Sequence, residues 1–173
     1  MKKLFTMILC VIMVLSFTAC SRKSDNTRIP NPFLDCKTLK DAEKIAGFKV
    51  KAPDKIPEGY TKNVIQAIKG DLVQIIYKNG ENEITFRQAK KGKEIEDISG
   101  DYNEYDEKST IVIGDLEVVI KGNGGKVSNA LWTNGDFIFS ITVTPGEVGI
   151  DKTDMIHMLS LIHISEPTRL QLI

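Results

Sequence analysis

The strongest constraint on the fold is a run of alternating apolar and polar residues that fills the middle of the chain, from about residue 60 to residue 144. Near its end, Phe139, Ile141 and Val143 alternate with Ser140 and Thr142. Successive side chains of a β-strand point to opposite faces, so a period of two predicts strands with one buried face. A sheet with one apolar face has to cover that face with other elements.

Turn residues separate the predicted strands. Asn79-Gly80 and Asn134-Gly135 supply the positive φ angles that a two-residue hairpin needs. Strands joined by such short turns pair antiparallel. The pattern predicts strands at residues 60–68, 72–78, 83–88, 109–113, 116–121, 127–133 and 137–144.

Two helices are predicted, one on each side of the strands. Thr38 is a helix cap with Asp41 three residues later, and Gly47 is a terminator, which predicts a helix at 38–46. A second helix is predicted at about 152–158. The predicted fold class is α+β: a curved antiparallel sheet of six to seven strands, with a helix near each end of the mature domain.

The N-terminus has the layout of a secretory signal. Lys2 and Lys3 precede an apolar run at 4–14, and a small-residue site ends in Cys20. The run is shorter than the ~20 residues that cross a bilayer. The segment resembles a bacterial lipoprotein signal, in which Cys20 receives a diacylglyceryl group and becomes the new N-terminus. Plain secretion is the alternative, because Phe17 stands where that pattern usually has Leu.

These features predict the organisation of the chain. Residues 1–19 are a signal peptide, 20–32 a lipidated flexible tether and 33–158 a single domain. Residues 159–173 are predicted to be an artefactual tail, because 159–169 resemble a translated sequencing adapter; the alternative is that they are native. The expected location is the extracytoplasmic face of the cell membrane, held by lipid on Cys20.

Charge and cysteine content exclude some classes of function. The whole chain has 23 Lys and Arg and 23 Asp and Glu. Without 1–19 and 159–173, 20 basic residues face 22 acidic ones, so the net charge gives no signature of nucleic-acid or anionic-membrane binding. Cys36 is the one remaining thiol and is interpreted as incidental, so no internal disulfide is expected. No cofactor is expected, and we expect a monomer.

The most acidic stretch, residues 94–107, is the most distinctive part of the domain. Seven of its fourteen side chains are acids. Asp97, Ser99, Asp101 and Asn103 alternate in a way that invites a calcium interpretation, but Lys108 replaces the closing Glu of the helix–loop–helix pattern. No metal site is therefore assigned. The apolar residues among the acids predict that the stretch packs on the sheet.

Candidate recognition residues follow from this stretch and from nearby aromatics. The glycines of 121–128 lie between strands and are interpreted as a turn rather than a phosphate loop. No catalytic triad can be assembled, since there is no G-x-S-x-G elbow. The candidate recognition surface comprises Asp97, Asp101, Tyr102, Asn103, Tyr105 and Trp132, with a buried core position as the alternative for Trp132.

Several blocks of sequence carry a family resemblance. Residues 31–48 and the string Asp-Ile-Ser-Gly-Asp-Tyr-Asn at 97–103 resemble an uncharacterised family of Gram-positive lipoproteins and exported proteins, whose domain is of unknown function (number 4367 type). Shorter blocks at 57–60, 86–89 and 130–132, with Tyr77, are similar to the same family. Related domains lie at the extracytoplasmic end of some anti-sigma-like membrane regulators. The resemblance therefore implies sensing or binding.

Three functions are compatible with these observations. The leading hypothesis is a non-enzymatic binding or sensory module of the cell envelope, whose partner is an envelope protein or ligand. The second is a carrier of an apolar ligand such as a lipid, which needs an open apolar cleft. The third is an envelope hydrolase that uses the acidic stretch.

Overall fold

The alternating residues form one antiparallel sheet. The structure, a computed structural model, describes residues 31–92, 96–146 and 148–164. Its strands and helices are β1 (Leu34–Asp35), α1 (Leu39–Ala46), β2 (Thr61–Ile68), β3 (Leu72–Asn79), β4 (Asn82–Lys90), β5 (Glu107–Ile113), β6 (Leu116–Gly122), β7 (Lys126–Val127), β8 (Asn129–Asn134), β9 (Phe137–Thr144), β10 (Ile150–Asp151) and α2 (Lys152–Ile164).

The number of strands differs from the prediction of six to seven. The main sheet has eight strands, and β7 and β10 form a separate pair. Strand β1 has two residues, too few to show an alternating pattern, and it precedes the first helix. The strand predicted at 127–133 is divided into β7 and β8, and α2 continues past residue 158 to Ile164.

The strand order places the two halves of the chain side by side. The order is β1-β2-β3-β4-β9-β8-β6-β5, with β4 and β9 paired at the centre. Strands β1 to β4 form one half and β5, β6, β8 and β9 form the other. The sheet is thus not a simple succession of hairpins, because β4 pairs with β9 instead of the next strand, β5.

One face of the sheet is the apolar core. Ile75, Phe86, Ile141 and Ala130 lie in one row across β3, β4, β9 and β8, and each has no accessible surface. Helix α2 covers this row with side chains at helical spacing: Met155, Met158, Leu159 and Ile162 are all buried in the same cluster.

Helix α1 covers the β2–β3 end of the same face. The Thr38 hydroxyl accepts a hydrogen bond from Asp41 N, and the Asp41 carboxylate accepts one from Thr38 N, as the predicted capping box requires. Gly47 ends the helix in the left-handed conformation. Ala42 and Ala46 are small enough to bring α1 close to Ala67 and Val73 of the sheet.

In the part of the chain that the structure describes, helices α1 and α2 thus fill the apolar face of the sheet. A carrier of an apolar ligand would need this face to be open.

None of the helices in the described ranges is both long and apolar enough to cross a bilayer. The predicted signal peptide, Cys20, nearly all of the predicted tether and residues 165–173 lie outside the described residues.

Candidate functional site

The acidic stretch crosses the other, polar face of the sheet. Its described part, residues 96–107, is called the acidic segment below; Glu94 and Ile95 lie outside the described residues. Ile98 is buried and belongs to a small apolar cluster with Ala89 and Ile138 of the sheet. The segment therefore packs on the sheet, as its apolar residues predict.

A row of polar side chains leads from the sheet edge to the acidic segment. Arg87 donates from Nη1 to the carbonyl of Ile98 at 2.9 Å and from Nε to Gln74 Oε1 at 3.0 Å. Gln74 donates to Gln66 Oε1 at 2.6 Å, and Gln66 donates to Asp35 Oδ1 at 2.7 Å. Register aligns these residues on adjacent strands. Burial lowers the pKa of the Arg87 guanidinium.

The alternation of Asp97, Ser99, Asp101 and Asn103 has a structural explanation. Asp97 Oδ1 accepts from Ser99 N at 2.7 Å, Ser99 Oγ from Asp101 N at 3.2 Å, and Asp101 Oδ1 from Asn103 N at 3.1 Å. Short polar side chains make such bonds to the backbone two residues onward. These oxygens thus bind their own chain, and the repeated spacing stabilises an irregular segment.

Asp101 connects the acidic segment to the sheet. Its Oδ2 accepts hydrogen bonds from the Tyr105 hydroxyl at 2.8 Å and from Asn129 Nδ2 at 3.3 Å. Asn129 has no accessible surface and belongs to β8. Burial, and then the hydrogen bond to Asp101, raise the pKa of Tyr105 to about 12. Asp101 is therefore occupied by structural bonds on both of its oxygens.

Three other members of the predicted recognition surface, Tyr102, Asn103 and Asp97, are exposed on the acidic segment. Tyr102 is 96% exposed, and Asn103 is exposed as well. Asp97 lies 3.9 Å from Lys121 Nζ. A depression of about 380 Å³ is lined by Arg87, Asp97, Ile98, Ser99, Gly100, Asp101 and Tyr102.

Trp132 does not belong to this surface, which corrects the prediction. It is 3% exposed and packs in the apolar core, where its ring stacks on Phe139 with centroids 5.2 Å apart. Register explains the difference. Trp132 is three residues after Asn129 on β8 and so points to the opposite face of the sheet.

The acids of the segment do not converge. Among residues 31–92, 96–146 and 148–164, no group of three His, Cys, Asp or Glu side chains has the arrangement of a metal site. Cys36 is half-buried and donates to the Leu34 carbonyl at 3.5 Å. Burial raises the pKa of its thiol, which disfavours the reactive thiolate.

Sequence reasoning missed the residues on which the acidic segment rests. Arg87, Gln74 and Asn129 are on the polar face, and nothing in their local sequence distinguishes them from solvated strand residues. Over the described ranges, three buried side-chain nitrogen or oxygen atoms have no hydrogen-bond partner: Asn129 Oδ1, Ser140 Oγ and Trp132 Nε1. Asn129 and Ser140 both lie on the polar face, so not every buried polar group on this face has a hydrogen-bond partner.

The fold and the site define a small α+β domain, with a sheet whose apolar face is covered by helices and whose polar face carries an ordered acidic segment. Comparison with known families identifies the domain. Residues 50–162 match the model of the family described as Domain of unknown function (DUF4367), and the chain belongs to this family. The match runs from the residues before β2 to Ile162 of α2. Searches of curated proteins and of solved structures gave no match.

Proposed function

We propose that the protein is a non-enzymatic binding or sensory module, held on the outer face of the cell membrane by lipid on Cys20. The acidic segment is its recognition surface, and an envelope protein or ligand is its partner. One observation carries this proposal: Tyr102 is 96% exposed in a segment that hydrogen bonds hold in place on both sides.

The contacts of the segment favour binding over hydrolysis. A hydrolase that works with two carboxylates needs both of them directed at one bond. Asp101 instead accepts hydrogen bonds on both oxygens, and Asp97 accepts one from the backbone and faces Lys121. Glu104 and Asp106, two and four residues after Tyr102, are exposed. Their charge suits a partner that presents Lys or Arg next to a surface for an aromatic ring.

The recognition surface is tested by site-specific photo-crosslinking in the envelope. A photoreactive side chain replaces Tyr102 in one variant and Val112, 68% exposed on β5, in a matched control. We expect a discrete adduct from position 102 that is weakened by Asp106→Asn and by salt, and no equivalent adduct from position 112. Equal adducts from the two positions, or none from either, would contradict the proposed surface.

The anchor is tested separately. The chain is produced in a bacterial host that processes lipoproteins, and wild type is compared with Cys20→Ser. We expect wild type in the membrane pellet, with an N-terminal peptide that begins at Cys20 and whose mass includes a diacylglyceryl group, and Cys20→Ser without that peptide. An unmodified N-terminal peptide from wild type would refute the anchor and favour plain secretion.

A further inference from the structure

The two halves of the sheet carry opposite charge. Residues 32–92, which form β1 to β4 and α1, contain 12 Lys and Arg and 8 Asp and Glu. Residues 96–146 and 148–164, which form the other half, contain 4 Lys and 11 Asp and Glu. Because β4 and β9 meet at the centre, the domain is positive at one end of the sheet and negative at the other. The near-zero net charge conceals this division.

The positive charge is concentrated around α1 and the loop that follows it. A depression of about 400 Å³ is lined by Lys40, Lys44 and Lys49, with Glu43 as its one acid. An adjoining depression of about 430 Å³ shares Lys49 and Glu43 and adds two lysines, Lys51 and Lys62, and one acid, Asp54. We call this surface the lysine face; its members are Lys40, Lys44, Lys49, Lys51 and Lys62.

Three members of the lysine face, Lys40, Lys44 and Lys49, are exposed to solvent. Lys40 and Lys44 are exposed on α1, one turn apart, and neither forms an ion pair with a described residue. The Lys49 side chain is 87% exposed although it pairs with Glu43 at 3.0 Å. Phe48 lies between these lysines, half-buried, with its ring 5.1 Å from that of Phe137. Several exposed lysines around an aromatic ring suit a broad anionic surface.

The chain also enters the domain on this half. Strand β1 begins at Leu34, pairs with β2 and is followed directly by α1. Asn31 is eleven positions after Cys20, and a fully extended chain of this length spans at most about 40 Å. If Cys20 is anchored as proposed above, Asn31, at the entry of the chain into this half, is at most this far from the anchored residue.

We propose that the lysine face lies against the anionic surface of a lipid bilayer, so that the acidic segment, on the negative half, is directed away from it. Attraction to the bilayer acts on lysines that lie within about a Debye length of the headgroups. The negative charge of the bilayer surface also repels the half of the sheet that carries an excess of acids. The two effects together favour one orientation of the domain, in which Tyr102 is presented to the envelope.

The test uses Cys20→Ser protein produced without the predicted signal peptide, residues 1–19, so that it has neither an acyl chain nor the apolar run, and measures co-sedimentation with vesicles. We expect partition onto mixed phosphatidylglycerol and phosphatidylcholine vesicles, little onto phosphatidylcholine alone, and loss of the difference at high salt. The variant Lys40→Gln/Lys44→Gln/Lys49→Gln should partition at least about tenfold less. The matched control, Lys108→Gln/Lys126→Gln/Lys152→Gln on the negative half, should change partition by less than about twofold.

Several outcomes would overturn the proposal. One is equal partition onto the two kinds of vesicle; another is a lysine-face variant that partitions as its Cys20→Ser parent does. Retention on polyglutamate without retention on vesicles would assign the face to an acidic protein instead. If the triple variant is unstable, the single variants Lys40→Gln, Lys44→Gln and Lys49→Gln decide the question, because each should lower partition several-fold and an unchanged partition in all three would overturn the proposal. Since no acyl chain is present, this result is independent of Cys20: a failed anchor leaves the vesicle result standing, and failed partition leaves the anchor standing.

Discussion

At the scale of the residue, the acidic segment shows how one spacing is compatible with two kinds of chemistry. Oxygen-bearing side chains at every second position are found in calcium loops, and they are also found where side chains bond to the backbone two residues onward. Asp97, Ser99 and Asp101 belong to the second kind. What distinguishes the two is the direction of the oxygens, toward a common centre or toward the chain, which the spacing does not specify.

Gly100 provides a test of how the segment is held. Its φ is +65°, and a Cβ there would lie 2.5 Å from Arg87 Nη1, the atom that donates to Ile98. Gly124 has φ +58° and nothing within 4 Å of its Cβ position. Both Ala variants carry the backbone cost of about 1–2 kcal/mol. Gly100→Ala should cost at least about 1 kcal/mol more, because it displaces the charged hydrogen bond of Arg87.

Urea denaturation of the two variants measures this difference, and amide exchange of residues 96–106 locates it. We expect faster exchange in the acidic segment for Gly100→Ala alone. Equal free energies of unfolding for Gly100→Ala and Gly124→Ala would show that Arg87 does not hold the segment on the sheet.

At the scale of the element, local signals predict where helices and strands lie, and packing decides how far they extend. The ends of α1 follow from Thr38, Asp41 and Gly47, all close in sequence. Helix α2 instead extends past Met158 because Leu159 and Ile162 lie on its buried side. Any apolar side chain at this spacing would be buried in the same way. The packing is therefore compatible both with a native origin of residues 159–173 and with a translated sequencing adapter. The adapter interpretation stays a prediction.

The contribution of α2 can be measured with one pair of variants. Leu159 has no accessible surface and packs in the main core, whereas His157 is exposed on the opposite side of the helix. We expect Leu159→Ala to lower the free energy of unfolding by about 2–5 kcal/mol and His157→Ala to change it by less than about 0.5 kcal/mol. Thermal and urea denaturation measure both. A small effect at both positions would mean that α2 is not docked beyond Met158.

At the scale of the whole molecule, the alternation of apolar and polar residues gives the sheet two different faces. Its apolar face is filled by α1, α2 and the loop after α1, while its polar face is covered by the acidic segment. Each face holds a tyrosine with an altered pKa. Burial, and then the charge of Asp54, raise the pKa of Tyr77 to about 12, the same value as for Tyr105.

These two tyrosines predict how stability depends on pH. Tyrosine in an unfolded chain titrates near pH 10. Between pH of about 10 and about 12, the unfolded chain releases protons that the folded protein retains, so the free energy of unfolding should fall as pH rises through this window. Tyr77→Phe and Tyr105→Phe should each make this fall shallower. Tyr102→Phe, which changes a side chain lying almost wholly in water, is the control.

Urea denaturation at several pH values across the window measures the slope. The expected order is wild type and Tyr102→Phe with the same slope, and the other two variants with smaller slopes. If all four proteins lose stability in parallel, the alkaline transition belongs to other groups and the two tyrosines do not contribute to it.

The sequence by itself determined the positions of most strands, the ends of α1 and the side of the sheet that faces the core. Each of these depends on residues within a few positions of one another: alternation, capping side chains and glycines at turns. It also determined the family, which the match of residues 50–162 confirms.

Only the tertiary structure decided the strand order, the place of Trp132 and the use made of the acidic segment. The pairing of β4 with β9 joins residues 47 to 61 positions apart, and Asp101 meets Asn129 through the fold alone. Such contacts depend on which strands become neighbours, and an alternating pattern makes many pairings possible at similar local cost. The packing of both faces of the sheet then selects one of them.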